Sequence, residues 1–471
     1  MTVRAPQRAA NSLLLVLCGV LFLDGLDVSL VGVALPSIKA DLKLDNSQLQ
    51  WIVSGYVLGY GGLLLLGGRT ADVVGRRKTL LIALALFAVA SLLGGLTSDP
   101  TLLVVTRFLK GASAAFTAPA GLSIITTTFA EGPERNRAMS IYAATGASGF
   151  SLGLVLGGLM TEIGWRWAFV LPVPIAAALL LAAPGLIPRD VLRTSPARRF
   201  DVPGAVTLTT GMLLFVYAIV EAPSEGWGST STLAVFAAAI VLLSAFVAIE
   251  RRSPEPLVRL GILRSRPLVR ANLAALSLFG CYVGFQFVVT LYLQALNRWS
   301  PIETALAFLP TGVLIAVGST RIGPVMHRIG TARLIVLGSL SMTMGYLLLL
   351  RLTQTPAYAG VLLPTMLLVG VGIGVSFPAL NIQATNGVAE HEQGLAAGLV
   401  QSSLQLGGAV VLAVVSAIVS ANAGRAGDHA ALLGAYRDAL SVIAVVAAVG
   451  LVVAVGGIAK RPGRSLLGRS G

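Results

Sequence analysis

The chain has 471 residues, of which 55% are hydrophobic and 11% charged. A soluble protein of this length carries roughly 25% charged residues, so too little polar surface is present to coat a water-soluble globule. This excludes a cytosolic enzyme, a disordered regulator and a disulfide scaffold. The net charge is +14, but the bases gather in short loops between long apolar runs. That is the membrane pattern, not a nucleic-acid surface. Cys18 and Cys281 both lie inside apolar runs, which suggests no disulfide framework. His327, His391 and His429 are too scattered for a zinc cluster, and no metal or cofactor is expected.

A helix needs about 20 apolar residues to cross about 30 Å of hydrocarbon. In chain order such runs lie near 13–36, 48–68, 79–97, 101–128, 138–162, 166–187, 203–221, 230–250, 268–296, 302–322, 333–351, 358–380, 396–420 and 438–458. The sequence therefore predicts an all-α integral membrane protein with fourteen spans. The first run is too long for a signal peptide, and Asp24 and Asp27 do not suit one.

Loop charge sets the orientation. With the N-terminus inside, 25 Lys and Arg residues fall inside and 7 outside. That bias places both termini in the cytoplasm. The inner loop at 381–394, with Glu390 and Glu392 and no base, is the exception. Two longer cytoplasmic connectors, 188–202 and 251–267, are rich in Arg and Pro. Only two spans lie between them. The expected division is a six-helix bundle over 1–188, two linker helices over 189–266, and a second six-helix bundle with a short basic tail over 267–471. Parallel six-span halves are a transporter plan. One echo fits it: Gly75 to Leu81 follows the second span of the first half, and Gly330 to Ile335 follows the second span of the other.

Charge inside hydrocarbon is costly and marks function by default. Asp24 and Asp27 sit in span one; Arg107 and Lys110 sit in span four. Each pair has i,i+3 spacing and shares a helix face. Counting rise from the expected ends, Asp27 and Arg107 both lie about 9 Å from the outer edge, and Asp24 and Lys110 about 13 Å. The expected pairs are Asp27 with Arg107 and Asp24 with Lys110, across a polar cavity. Desolvation penalises a buried carboxylate and a nearby cation favours it. Opening such a site to either side changes both effects, so the four residues are candidates for proton coupling. A static ion pair holding two helices together would use the same residues.

Three further features carry weight. The segment Gly68-Arg69-Thr70-Ala71-Asp72-Val73-Val74-Gly75-Arg76-Arg77-Lys78 sets an acid between glycines ahead of a basic run. In span five, Gly149, Gly153, Gly157 and Gly158 form a small-residue stripe that lets helix backbones touch, either as simple packing or as a bending seam. Tyr282 and Gln286 share one face of span nine, and Gln401 and Gln405 one face of span thirteen; they line a cavity or join helices. Trp51 reads as an interfacial anchor.

At these residues the chain resembles the major facilitator superfamily, and within it the fourteen-spanner drug:proton antiporter family, over nearly its whole length. The Gly68 to Lys78 segment is similar to the superfamily's G-x-x-x-D-x-x-G-R-[RK]-[RK] loop signature. Asp27 to Pro36 resembles the first-span signature, an acid followed by a run ending Ala-Leu-Pro, with Gly32 where Asn is usual. Gln50-Trp51, Tyr56 and Gly164 to Phe169 also fit. Arg107-Phe108-Leu109-Lys110-Gly111 resembles the fourth-span R-x-x-Q-G motif, with Lys110 replacing Gln. In span five, Leu154 follows Gly153 where the antiporter signature has Pro.

The resemblance implies a major facilitator fold and a proton-driven exporter working by alternating access. Asp27 would be the first-span acid and Arg107 the fourth-span base. Asp72, with Gly68, Gly75, Arg76 and Arg77, would latch the outward-open state against the second half near the start of span thirteen. The expected partners are a small amphipathic substrate, protons and the lipid bilayer, with the chain a monomer and no nucleic acid involved. The second half embeds no acid and Lys110 adds a base, so neutral or anionic amphiphiles stand beside lipophilic cations as cargo. Export of lipids or envelope precursors and solute import are the alternatives. A sensor would need an output domain, and an enzyme a catalytic set that these residues do not form.

Overall fold

The computed structural model describes residues 7–129, 133–188, 201–253, 260–385, 388, 393–421 and 429–458. Of the loop charges counted above, Arg4, Arg189, Arg193, Arg198, Arg199, Arg259, Arg425 and the tail from Lys460 lie outside these residues, as do Glu390 and Glu392. Within them the protein is helical. In the first half the long helices are α1 (Gln7–Leu42), α2 (Asn46–Val74), α3 (Arg76–Leu96), α4 (Pro100–Thr128), α5 (Pro133–Ile163) and α6 (Trp167–Leu186). Then come α7 (Val202–Glu225) and α8 (Thr230–Glu250). The remainder are α9 (Arg266–Leu291, running on through a π turn to Leu296), α10 (Pro301–Ile329), α11 (Thr331–Leu349), α12 (Leu363–Thr385, preceded by a π turn from Tyr358), α13 (Gln393–Ala421) and α14 (His429–Ile458).

Among the described residues, 12 helices are long and apolar enough to cross a membrane. Twelve of the fourteen expected spans are thus met among the described residues. The two outside that set are α2 and α5. Both are long, at 29 and 31 residues. The apolar segment described in α5 is Ser148–Ile163.

Helix starts follow local chemistry. Asp45 caps α2 with Gln48 in a reciprocal capping box, and Ser300 with Glu303 does the same for α10. Both helices end at a glycine of positive φ, Gly75 (110°) and Gly330 (85°). Only glycine takes that backbone without strain, so the Gly75/Gly330 echo marks the same sharp turn in two places.

The packing repeats as well. In the first half α1 lies on α5 and α6, α2 on α4, and α3 on α4 and α6. Eight helices later, α9 lies on α13 and α14, α10 on α12, and α11 on α12 and α14. The two sets meet along α5–α10 and α2–α13, which are equivalent under the repeat. The hairpin α7–α8 lies against α2 and α13, so α7 covers one of these seams. The outer surface is apolar: Leu15, Leu181, Val241 and Val452 are all more than 60% exposed. In water such a belt would drive aggregation; in hydrocarbon it costs nothing.

Candidate functional site

The four charges predicted within spans meet in the interior of the first half. Asp27 and Lys110 are fully buried, Arg107 is 2% exposed and Asp24 7%. Arg107 Nη1 donates to Asp27 Oδ2 at 2.5 Å, and Lys110 Nζ pairs with Asp27 Oδ1. Arg107 Nε donates to the Ile52 carbonyl at 3.0 Å, and its guanidinium lies 4.7 Å from the centre of the Tyr56 ring. Lys110 donates to Ser91 Oγ at 2.9 Å and sits between the rings of Phe87 and Phe169, 5.0 and 5.1 Å from their centres. Ser91 in turn donates to the Phe169 carbonyl at 2.7 Å.

The expected pairing of Asp24 with Lys110 does not form. Asp24 Oδ2 accepts from Thr117 at 3.2 Å, and Asp27 takes both cations. Side-chain direction explains the change. Cα–Cβ bonds lean toward the N-terminus of their own helix. Helices α1 and α4 run antiparallel, so Lys110 leans toward Arg107 and Asp27, while Asp24 leans the other way, toward Thr117. Depth counted from Cα rise alone misses this. Ser91, Thr117 and Phe87 were not singled out in the sequence. A hydroxyl on each helix facing the charge pairs was the available signal.

Beside the ionic cluster lies a cavity of about 60 Å³ between the two halves. Its wall includes Val28, Val31, Gly32 and Leu35 of α1, Tyr56 of α2 and Arg107 of α4. The opposite wall includes Phe279, Val283, Gln286 and Phe287 of α9 and Gln405 of α13. Of the predicted cavity residues, Gln286 and Gln405 line it. Tyr282 stands behind Phe279, its ring 6.4 Å from that ring and 5.6 Å from Phe150 of the first half. Gln401 faces Tyr60 of α2. A drug-sized ligand needs ~300 Å³ or more, so the halves must part to admit one.

The glycine stripe is a backbone seam. A Cβ on Gly149 would strike the Phe22 carbonyl oxygen, on Gly153 the Leu26 carbonyl, and on Gly157 the backbone of Leu30. These three hold α5 against α1 inside one half. Gly158 is different: its Cβ would meet Ile302, Pro301 and Ala305 of α10, in the other half. Nearby, the Ile302 backbone N–H donates to Glu162 at 3.5 Å and Gln294 donates to the Val33 carbonyl at 3.3 Å.

The predicted latch is described in part. Gly68 lies in α2 with Pro119 of α4 as its nearest neighbour, and Gly75 makes the turn into α3. Arg76 donates to the Ser123 carbonyl and to Thr127 Oγ1 of α4, and Arg77 to the Pro184 carbonyl of α6. These contacts tie the turn to its own half. Asp72 lies in the last turn of α2; its side chain, and residues 389–392 at the entry to α13, are outside the description. Trp51 is more than an interfacial anchor. Its Nε1 donates to Glu221 of α7 at 2.9 Å, and Gln50 donates to the Val220 carbonyl at 3.4 Å. Both pin α2 to the hairpin.

A repeated set of six helices around a central cavity is a transporter arrangement, and the comparison with known proteins decides its kind. Residues 17–412 match the Major Facilitator Superfamily. The chain belongs to this family. It is 39% identical to the puromycin resistance protein pur8 of Streptomyces alboniger, over 91% of this chain and 86% of that protein. It is 35% identical to the cephamycin export protein CmcT of Amycolatopsis lactamdurans, over 93% and 90%. The crystal structure of the human organic anion transporter TETRAN shares the fold, with a TM-score of 0.64 at 16% identity over 96% of this chain and all of that one. The protein is thus a multi-pass membrane transporter whose relatives are drug-resistance and export proteins, consistent with the drug:proton antiporter family.

Proposed function

We propose that this transporter exports small amphipathic molecules in exchange for protons, by alternating access. The observation that carries the reading is the double attachment of Arg107. It holds Asp27 at 2.5 Å and also lines the cavity between the halves. A proton arriving on Asp27 removes the anion shared by Arg107 and Lys110. The freed guanidinium then belongs to the cavity wall, so protonation changes what the cargo meets. Coupling needs only such a difference in affinity between states. The resistance and export named for the two relatives support the outward direction.

The reading includes fourteen spans, with α2 and α5 crossing the bilayer alongside the twelve apolar helices. The units are a six-helix half over 1–188, the α7–α8 linker region over 189–266, and a second half over 267–471. Both termini face the cytoplasm and a single chain is the working unit. In this orientation the Gly158–Ile302 and Gln294–Val33 contacts lie at the outer end and join the halves there. Asp72 and its flanking glycines and arginines latch the opposite state.

The test is internal pH in proteoliposomes loaded with a pH-sensitive dye, for wild type and Asp27→Asn. Proton movement triggered by an amphipathic drug in the wild type and lost in Asp27→Asn is the expected result. Drug flux without proton movement in the wild type would overturn the coupling and leave Asp27–Arg107 as a structural pair.

A further inference from the structure

We infer that the cavity between the halves takes an uncharged planar aromatic amphiphile, whose hydrogen-bonding groups are met by Gln286 and Gln405. This deepens the exporter reading and rests on it. The first ground is charge. Neither carboxylate of the ionic cluster is part of the cavity wall among the described residues; Asp27 is enclosed by Arg107 and Lys110, and Asp24 is turned toward Thr117. Two acids and two bases sum to zero there. The charged group that does reach the wall is a cation, Arg107. A cationic cargo would leave water to meet that guanidinium with no anion of its own to pair with, a costly exchange in an apolar cavity.

The second ground is the opposite wall. The polar side chains there are two amides, Gln286 and Gln405, from different helices of the second half. An amide offers both a donor and an acceptor, so it meets a neutral carbonyl, hydroxyl or amide equally well. Gly32 leaves room for the Gln286 amide. A Cβ at Gly32 would lie 3.1 Å from Gln286 Nε2, closer than that amide nitrogen tolerates without shifting. The third ground is shape. Tyr56, Phe279 and Phe287 line the same space from both halves, which suits a flat ring between them.

The experiment uses purified protein in nanodiscs and four probes on one naphthyl ring: a propanamide, a propyl-trimethylammonium, a propanoate and plain propyl. Naphthyl fluorescence reports binding. The amide is expected to bind about tenfold more tightly than the ammonium, one hydrogen bond's worth. Gln286→Leu with Gln405→Leu should remove that advantage while the propyl probe still binds, at least as tightly as to the wild type, which also shows that the double variant is folded. Gln286→Glu should reverse the order in favour of the ammonium. Gly32→Ala should weaken the amide by moving Gln286. An ammonium or propanoate that binds best to the wild type would overturn the inference. So would amide binding indifferent to the double variant, or an unchanged order in Gln286→Glu. Flux of the same probes in proteoliposomes separates the two claims. Absence of flux for every probe would count against export, whereas flux of the ammonium ahead of the amide would count against this cargo class alone.

Discussion

The two halves pack alike and are filled differently. In the first, the space between α1 and α4 holds Asp27, Arg107 and Lys110, with Asp24 and Thr117 one step along. In the second, the interior between α9, α10 and α11 is aromatic: Phe285 lies 5.7 Å from Phe308, 5.7 Å from Tyr346 and 6.3 Å from Tyr282. Helix packing depends on where backbones can approach, and both halves meet that need with glycine. A Cβ on Gly149 would strike the Phe22 carbonyl, and one on Gly407, at the equivalent α13–α9 crossing, the Leu276 carbonyl. The interior chemistry is free to diverge once the backbones fit. One half has become the place where charge is held, the other a wall that offers amides and rings. A transporter that couples two ligands gains from that separation, because each can be tuned without disturbing the other.

The largest expected effect tests whether charge in the first half does the coupling. Asp27→Asn should bring drug-triggered proton movement down to the level of empty liposomes while expression and membrane insertion stay normal. Gln405→Leu should leave proton movement triggered by an apolar cargo intact. Equal losses in both variants would erase the functional difference between the halves.

Next comes the cluster's dependence on balance. Removing one partner of a buried ion pair costs about 3–5 kcal/mol, because the other charge is left without compensation. Arg107→Leu strips Asp27 of one cation but leaves Lys110, so a loss at or below the lower end of that range is expected in thermal unfolding. Asp27→Leu leaves two cations side by side and should destabilise more. A milder effect for Asp27→Leu than for Arg107→Leu would show that Lys110 does not share this carboxylate.

These charges also show what the sequence could and could not reveal. Twelve of the spans, the Asp27–Arg107 pair and the Gly75/Gly330 echo were readable, because hydropathy, intramembrane charge and glycine at a sharp turn each have one strong physical cause. The partner of Lys110 was not. Axial rise places Cα atoms, and a lysine's long side chain leaning toward its helix N-terminus moves the charge by about a turn. Trp51 was read from its side-chain type alone, whereas its Glu221 partner lies 170 residues away on α7. Tyr282 and Gln286 share a helix face, yet only Gln286 lines the cavity, since α9 also packs against Phe150 of α5. Such long-range neighbours leave no local trace.

The third prediction concerns the likeness. Gly149→Ala and Gly407→Ala should lower the thermal midpoint by similar amounts, each corresponding to about 1–3 kcal/mol of overpacking. Gly408→Ala, whose Cβ would meet Phe279 at an ordinary 3.4 Å, should be nearly neutral. A large gap between the first two would mean that the repeated packing is not equally tight in the halves.

The smallest effect sets two serines against each other. Ser91 donates to the Phe169 carbonyl at 2.7 Å and accepts from Lys110 at 2.9 Å, so its hydroxyl links a backbone to a buried cation. Ser341 of α11 donates to the Leu368 carbonyl at 2.7 Å, a neutral bond. A hydrogen bond to a charged group contributes about 1.5–3 kcal/mol and a neutral one about 0.5–1.5 kcal/mol. Ser91→Ala should therefore cost more than Ser341→Ala, by about 1 kcal/mol, in matched unfolding curves. Ser91→Thr should recover most of the loss if Lys110 needs the hydroxyl. Equal costs for the two alanine variants would mean that Asp27 alone satisfies Lys110, and that the charge of the first half is held by α1 and α4 without help from α3.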